Sequence, residues 1–310
     1  MTLIRTASLT KRFAKVTALD ALDLELESGI IGLVGANGAG KSTLIKLLLG
    51  LLEPTSGSGE VMGLDVSRQG TELRQFVGYM PEHDCLPTDV SATEFVAHMA
   101  QISGLPRGAA RERTAETLRH VGLFEARYRE MRGYSTGMKQ RVKLAQALVH
   151  DPRLILLDEP TNGLDPEGRD DMLRLIRRIG GEFGIAIILS SHLLSEIERV
   201  CDHLVEIEDG RLVRSVPMTE LTAPTRVLTV EVDGDGDRLA ERLQEQGVVV
   251  SRSGRFLLVQ KEDDALLDLV RDSVVDLGLG LVRLEQGRRR LEELFQTQPT
   301  LAEAEEDSRV

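Results

Sequence analysis

From Gly35 to Thr43 the chain reads Gly-Ala-Asn-Gly-Ala-Gly-Lys-Ser-Thr. The glycines at 35, 38 and 40 let successive backbone amides curl around phosphate oxygens with no Cβ in the way. Lys41 offers a mobile ammonium for β- and γ-phosphates, and Ser42 a hydroxyl for Mg²⁺. Asn37, Ala39 and Thr43 complete the segment expected to line the anion. An apolar, strand-like run (Gly29 to Val34) precedes this loop and a helix-like one (Thr43 to Leu49) follows it. The positive end of that helix then points at the same phosphates. In this setting the pattern predicts binding of a nucleoside triphosphate.

A second constellation lies downstream. Leu154-Ile155-Leu156-Leu157 is a continuous apolar run, as for a parallel strand buried on both faces. It ends in Asp158-Glu159, two carboxylates at the sheet edge where ligands of open α/β folds collect. Asp158 suits Mg²⁺ or its water shell, and Glu159 suits deprotonation of an attacking water. Upstream of that run, Ser135 and Gly137 stand at the start of a helix expected from Met138 to Leu148, which would make a second anion site. Asp165-Pro166 reads as an N-cap with proline at the first helical position.

With these elements the chain resembles the ATP-binding cassette (ABC) ATPases over about two thirds of its length. Tyr134-Ser135-Thr136-Gly137-Met138-Lys139-Gln140-Arg141 resembles the signature motif, departing from its usual L-S-G-G-Q core at Thr136 and Met138. Gly163-Leu164-Asp165 resembles the D-loop, and Ser190-Ser191-His192 the switch-histidine motif. Phe13 stands where the family places an aromatic ring on adenine. The resemblance implies ATP and Mg²⁺ as ligands, with Ser135 and Gly137 gripping the γ-phosphate bound by an opposite cassette and Asp165 at that junction. It assigns Glu159 and His192 to catalysis. Val77-Gly78-Tyr79-Met80-Pro81-Glu82 resembles the Q-loop, with Glu82 where glutamine is usual. A carboxylate can still ligate Mg²⁺, so a metal role for Glu82 stays open on the residues alone.

Several elements must position these groups. Residues 1–215 alternate short aliphatic strands with helices, as expected of an α/β P-loop cassette. A helical subdomain is expected at about 89–132, opened by the capping-box pattern Ser91-Ala92-Thr93-Glu94. Residues 216–224, with Pro217 and Pro224, read as a linker. Residues 225–296 follow β-α-β-β-α-β, the order of a small ferredoxin-like α+β domain. Its expected hairpin turns around Arg252-Ser253-Gly254-Arg255, and its last helix runs from about Arg288 to Phe295. Residues 297–310 read as a mobile acidic tail. Two attractive patterns are declined there. Asp233-Gly234-Asp235-Gly236-Asp237 lacks the glycine and glutamate of a calcium loop, with Arg238 and Gln244 in their places. Arg288-Arg289-Arg290 lies in a segment richer in acidic than basic residues and reads as a solvated face.

The whole chain carries a formal net charge of −12, with no tryptophan and 3% aromatic residues. A basic footprint for nucleic acid is lacking and stacking platforms are few, so no nucleic-acid partner is expected. No apolar run approaches the roughly 20 residues of a spanning helix. Cys85 and Cys201 are the only cysteines, far apart and without metal-ligand spacing. The resemblance therefore implies a cytoplasmic ATPase subunit, peripheral on the inner face of the cell membrane through a transmembrane permease. It implies a homodimer or a heterodimer with a second cassette, more in the manner of an exporter than an importer. Alternatives are a soluble ABC ATPase acting on ribosomes or DNA, and a regulatory ATP-binding module. A single phosphate loop and the lack of sustained heptads weigh against the first, and Glu159 with His192 against the second.

Overall fold

Aliphatic residues crowd into three short strands of this chain, and every residue of those strands is buried. The computed structural model describes residues 2–221, 224–260 and 265–288. It divides the chain into two compact units, Met1–Met218 and Thr219–Val310. In the first, β1 (Thr2–Phe13) and β2 (Val16–Glu27) form a long hairpin, followed by β3 (Ile30–Val34) and α1 (Lys41–Leu48). β4 (Ser56–Val61) and β5 (Leu64–Asp65) join the hairpin in an antiparallel sheet ordered β2-β1-β4-β5. Next come α2 (Gly70–Leu73), β6 (Val77–Met80), α3 (Ala92–Ile102) and α4 (Arg107–His120). A single 3₁₀ turn, Met131–Gly133, leads into α5 (Thr136–Leu148), then β7 (Leu154–Asp158), α6 (Pro166–Phe183) and β8 (Ala186–Ser191). α7 (Leu194–Val200), β9 (His203–Glu208) and β10 (Arg211–Pro217) close the unit.

The central sheet runs β10-β9-β3-β8-β7-β6, with β9, β3, β8, β7 and β6 parallel and β10 antiparallel at the edge. Burial on both faces explains why β3, β7 and β8 are uninterrupted aliphatic runs rather than alternating ones. All five parallel strands end on one edge, so the loops after β3, β6, β7 and β8 converge there. Leu44, Ile45, Leu47 and Leu48 of α1 are each at most 2% exposed. Burying each contributes roughly 1.5–3 kcal/mol, and this pins the start of α1 over that edge. Gly40 caps α1 at φ 107°, and a Cβ there would meet Ala18 O at 2.5 Å. Ser91 accepts from Glu94 N at 3.2 Å while Glu94 Oε2 accepts from Ser91 N at 2.9 Å, closing a capping box on α3.

The stretch expected as a linker is partly regular. Val216 and Pro217 still pair with Leu204 and His203 in β10, an edge strand where a missing N–H is tolerated, and α8 (Met218–Leu221) follows. In the second unit, β11 (Pro224–Asp233), α9 (Gly236–Glu245), β12 (Val250–Ser253), β13 (Phe256–Gln260), α10 (Ala265–Asp276) and β14 (Gly280–Arg288) follow β-α-β-β-α-β order. The antiparallel sheet order β12-β13-β11-β14 is the ferredoxin-like arrangement. Leu228, Val230, Leu257 and Val259 of the sheet share one core with Leu239 and Leu243 of α9 and Val270 of α10. The hairpin is tighter than its sequence suggested: Ser253 pairs with Phe256, leaving only Gly254-Arg255 in the turn, with Gly254 at φ 61°. Arg288, expected to open a helix, still pairs with Pro224 in β14. The remainder of that expected helix and the acidic tail lie outside the described residues.

Candidate nucleotide site

The phosphate loop leaves the carboxyl end of β3 and enters α1 at Lys41. That lysine is 7% exposed, and its Nζ donates to Gly35 O at 2.7 Å and Ala36 O at 3.2 Å, folding the side chain back over its own loop. A cavity of about 310 Å³ opens beside it, lined by Asn37, Gly38, Gly40, Lys41, Ser42 and Thr43, with Glu82 and Glu159 opposite. A larger cavity of about 610 Å³ lies against Arg113, His120, Pro152 and Ile185. It sits at the amino ends of β7 and β8, away from the edge where such sheets bind ligands.

Ser42 Oγ donates to Asp158 Oδ1 at 3.1 Å, joining the start of α1 to the end of β7. Ser190 Oγ, at the end of β8, donates to the same oxygen at 2.8 Å and accepts from Glu159 N at 2.9 Å. Asp158 is 3% exposed, and among the described residues no cation pairs with it. A buried carboxylate oxygen and a serine hydroxyl, both hard ligands and already at contact distance, fit a divalent ion such as Mg²⁺ that keeps most of its water.

Glu159 sits at φ 49°, a left-handed conformation costing about 1–2 kcal/mol for a residue with a Cβ. Its Oε2 meets His192 Nδ1 at 2.9 Å, and its Oε1 lies 3.8 Å from Lys41 Nζ without a hydrogen-bond partner. The carboxylate is thus aimed and only half satisfied. Burial, reinforced by the nearby Asp158 carboxylate, pushes the Tyr79 phenol up to about 12, so its hydroxyl stays protonated beside the site.

Glu82 follows β6, and its Oε1 accepts from Asn162 Nδ2 at 3.2 Å. Ser135 caps α5, its Oγ accepting from Met138 N at 3.3 Å. Asp165 caps α6, accepting from Gly168 N at 3.0 Å. A Cβ on Gly137 would lie 3.8 Å from Leu164 Cδ2, so the signature-like and D-loop-like segments adjoin each other. None of Ser135, Gly137 and Asp165 lines the phosphate cavity of its own chain. Phe13, at the end of β1, is 44% exposed, with Lys11 Nζ 5.0 Å over its ring.

Two contributors escape the sequence reading, and a third, Ser190, stands in it only as part of the switch-histidine resemblance. Ser190 bridges the two carboxylate residues, as described above. Glu196 of α7, 4% exposed, accepts from both Thr161 Oγ1 and Ser191 Oγ at 2.8 Å. Lys143 of α5 is 3% exposed and reaches the loop carrying Glu82; burial lowers its ammonium's pKa, while Cys85, Asp84, Glu82 and Asp158 push it the other way. Its only signal was a charge set among Val142, Leu144 and Ala145, all buried.

Residues 19–162 match the protein family described as ABC transporter. The bacitracin transport ATP-binding protein of Bacillus licheniformis is 39% identical over 226 residues, 73% of this chain and 73% of that protein. The daunorubicin/doxorubicin resistance ATP-binding protein of Streptomyces peucetius is 34% identical, covering 80% of this chain and 77% of its own. Among solved structures, cbiO1 of Clostridium perfringens, part of the ABC transporter complex cbiONQ, superposes with a TM-score of 0.65 at 28% identity, over 71% of this chain and 90% of that one.

Proposed function

This chain belongs to the ABC transporter family, and from that membership we propose that it is the ATP-binding and ATP-hydrolysing subunit that powers a separate membrane permease, working in export. The observation that carries the reading is Glu159, a buried carboxylate in a strained backbone conformation. One of its oxygens is held by His192 and the other, unpartnered, belongs to a residue lining the phosphate cavity. Such a group suits a general base.

In this reading the amides of the 35–43 loop cradle the phosphates, and Lys41 exchanges its carbonyl partners for β- and γ-phosphate oxygens. Ser42 and Asp158 would hold Mg²⁺, which when bound neutralises phosphate charge. Glu159 takes a proton from water as the water oxygen attacks the γ-phosphorus; the bond to the bridging oxygen of ADP breaks, giving ADP and phosphate. His192 orients Glu159 and senses the γ-phosphate, and Phe13 stacks on adenine. Ser135, Gly137 and Asp165 complete the site of a second cassette. No described helix is long and apolar enough to cross a membrane; in this reading a permease holds the subunit at the inner membrane face. Relatives named for bacitracin transport and for drug resistance support export.

Lys41→Ala tests the site. Removing the ammonium should lower turnover about a hundredfold or more and weaken ATP binding, read by phosphate release and by equilibrium titration. Near-normal values for both would falsify the assignment.

A further inference from the structure

Helix α5, capped by Ser135, carries Lys143 two turns further on, facing inward. At 3% exposure a lysine ordinarily meets a carboxylate. Among the described residues no ion pair includes it; its three N–H donors go instead to three consecutive main-chain carbonyls. Lys143 Nζ donates to Pro81 O at 2.8 Å, Glu82 O at 2.9 Å and His83 O at 3.5 Å. The ammonium thus matches a curled backbone, three donors to three acceptors.

Two neighbouring residues on α5 brace this arrangement, Lys139 on the same loop and Gln140 on the loop after β7. Lys139 Nζ pairs with Asp84 at 3.1 Å, and Gln140 Nε2 donates to Asn162 O at 3.0 Å. Asn162 Nδ2 in turn donates to Glu82 Oε1 at 3.2 Å. The backbone of Glu82 is therefore held by α5 directly, and its carboxylate through Asn162.

We propose that Lys143 is a positioning residue that locks the Pro81–His83 backbone to α5, so that Glu82 takes its place at the phosphate cavity from the helix that carries Ser135 and Gly137. This rests on the ATPase reading above. Its consequence is coupling between two sites. When Ser135 and Gly137 engage the γ-phosphate held by a second copy, α5 is fixed from one end, and Lys143 passes that constraint to Glu82 in the cavity of its own chain. An apolar side chain at 143 would fill the space yet leave the three carbonyls without the donor they have here.

The test uses the full chain, with Lys143→Met and Lys143→Arg each made alone and together with Glu82→Ala. ATP affinity should stay within about threefold of wild type for both Lys143 variants, because the phosphate loop is untouched. Turnover should fall about tenfold or more for Lys143→Met and about threefold for Lys143→Arg, whose planar fork cannot serve three carbonyls from one point. Both losses should disappear in the Glu82→Ala background, where no side chain remains to be positioned. If Lys143→Met does not fold, the Lys143→Arg cycle decides alone. Wild-type kcat in Lys143→Arg, no effect of Glu82→Ala itself, or equal losses with and without Glu82 would each overturn the proposal. Failure of the underlying reading looks different: the wild-type chain would not hydrolyse ATP, or its turnover would survive Lys41→Ala.

Discussion

Residue 82 places a formal negative charge beside a cavity built for phosphates, and its present partner is a neutral amide. Glu82 Oε1 accepts from Asn162 Nδ2, a bond that a glutamine carbonyl would make equally well. The loop around it is held through its backbone by Lys143, which no change of side chain at 82 disturbs. Glu82→Gln should therefore keep phosphate-release activity within about threefold of wild type and lower the Mg²⁺ concentration needed for half-maximal rate. A loss as deep as that of Lys41→Ala would instead show that the carboxylate itself is required. The contrast with Glu159 is instructive. There one oxygen is unpartnered and the backbone is held at φ 49°, an arrangement that serves chemistry better than stability. Loop chemistry of this kind is legible in sequence because residues 35–43 supply it from one continuous stretch. Lys143, Glu196 and the bridging role of Ser190 were not legible, because their partners lie on other elements and only the folded sheet edge brings them together.

Elements differ in how far local sequence decides them, and α3 lies at the local extreme. Its capping box is closed within four residues, so Ser91→Ala removes an acceptor for Glu94 N and the hydroxyl that faces Glu94 Oε2. The expected cost is about 1 kcal/mol, or about 2–4 °C in melting temperature for a unit of this size. The pH dependence follows from Glu94. Hydrogen bonds from the Ser91 backbone and side chain hold its carboxyl below the usual range. The stabilisation is therefore complete above that range and is lost as pH falls through the depressed value. Thermal melts of wild type and Ser91→Ala should converge as the solution is acidified below the ordinary carboxylate range; a gap that widens there would contradict the cap. The hairpin of the second unit shows the opposite case. Apolar runs marked both strands, yet the pairing of Ser253 with Phe256 depends on cross-strand register, which no single strand encodes. Val216 and Pro217 likewise look like linker residues until β9 supplies them a partner.

At the scale of the whole molecule, the chain keeps apart two groups of residues that the proposed function joins in one site. Lys41, Ser42 and Glu159 line the phosphate cavity, whereas Ser135 and Gly137 lie with the Leu164 loop and do not. A C₂ pair of cassettes, head to tail, would bring each signature-like segment to its partner's phosphates and close two sites at once. In such a pair ATP would act as interfacial glue, because its γ-phosphate would give the helix start at Ser135 an anion to grip, and hydrolysis would withdraw it. Glu159→Gln keeps the shape of the side chain and removes its basicity, so ATP should stay intact and the closed pair should accumulate. Light scattering of this variant at saturating nucleotide should give the mass of a dimer with MgATP and of a monomer with MgADP. Lys41→Ala added to Glu159→Gln should abolish the dimer, since the anion is then no longer held. A dimer of equal stability with either nucleotide would show that the γ-phosphate is not the link. A monomer with both would mean that closure needs a different cassette or the permease, and adding the permease to the same sample separates those two.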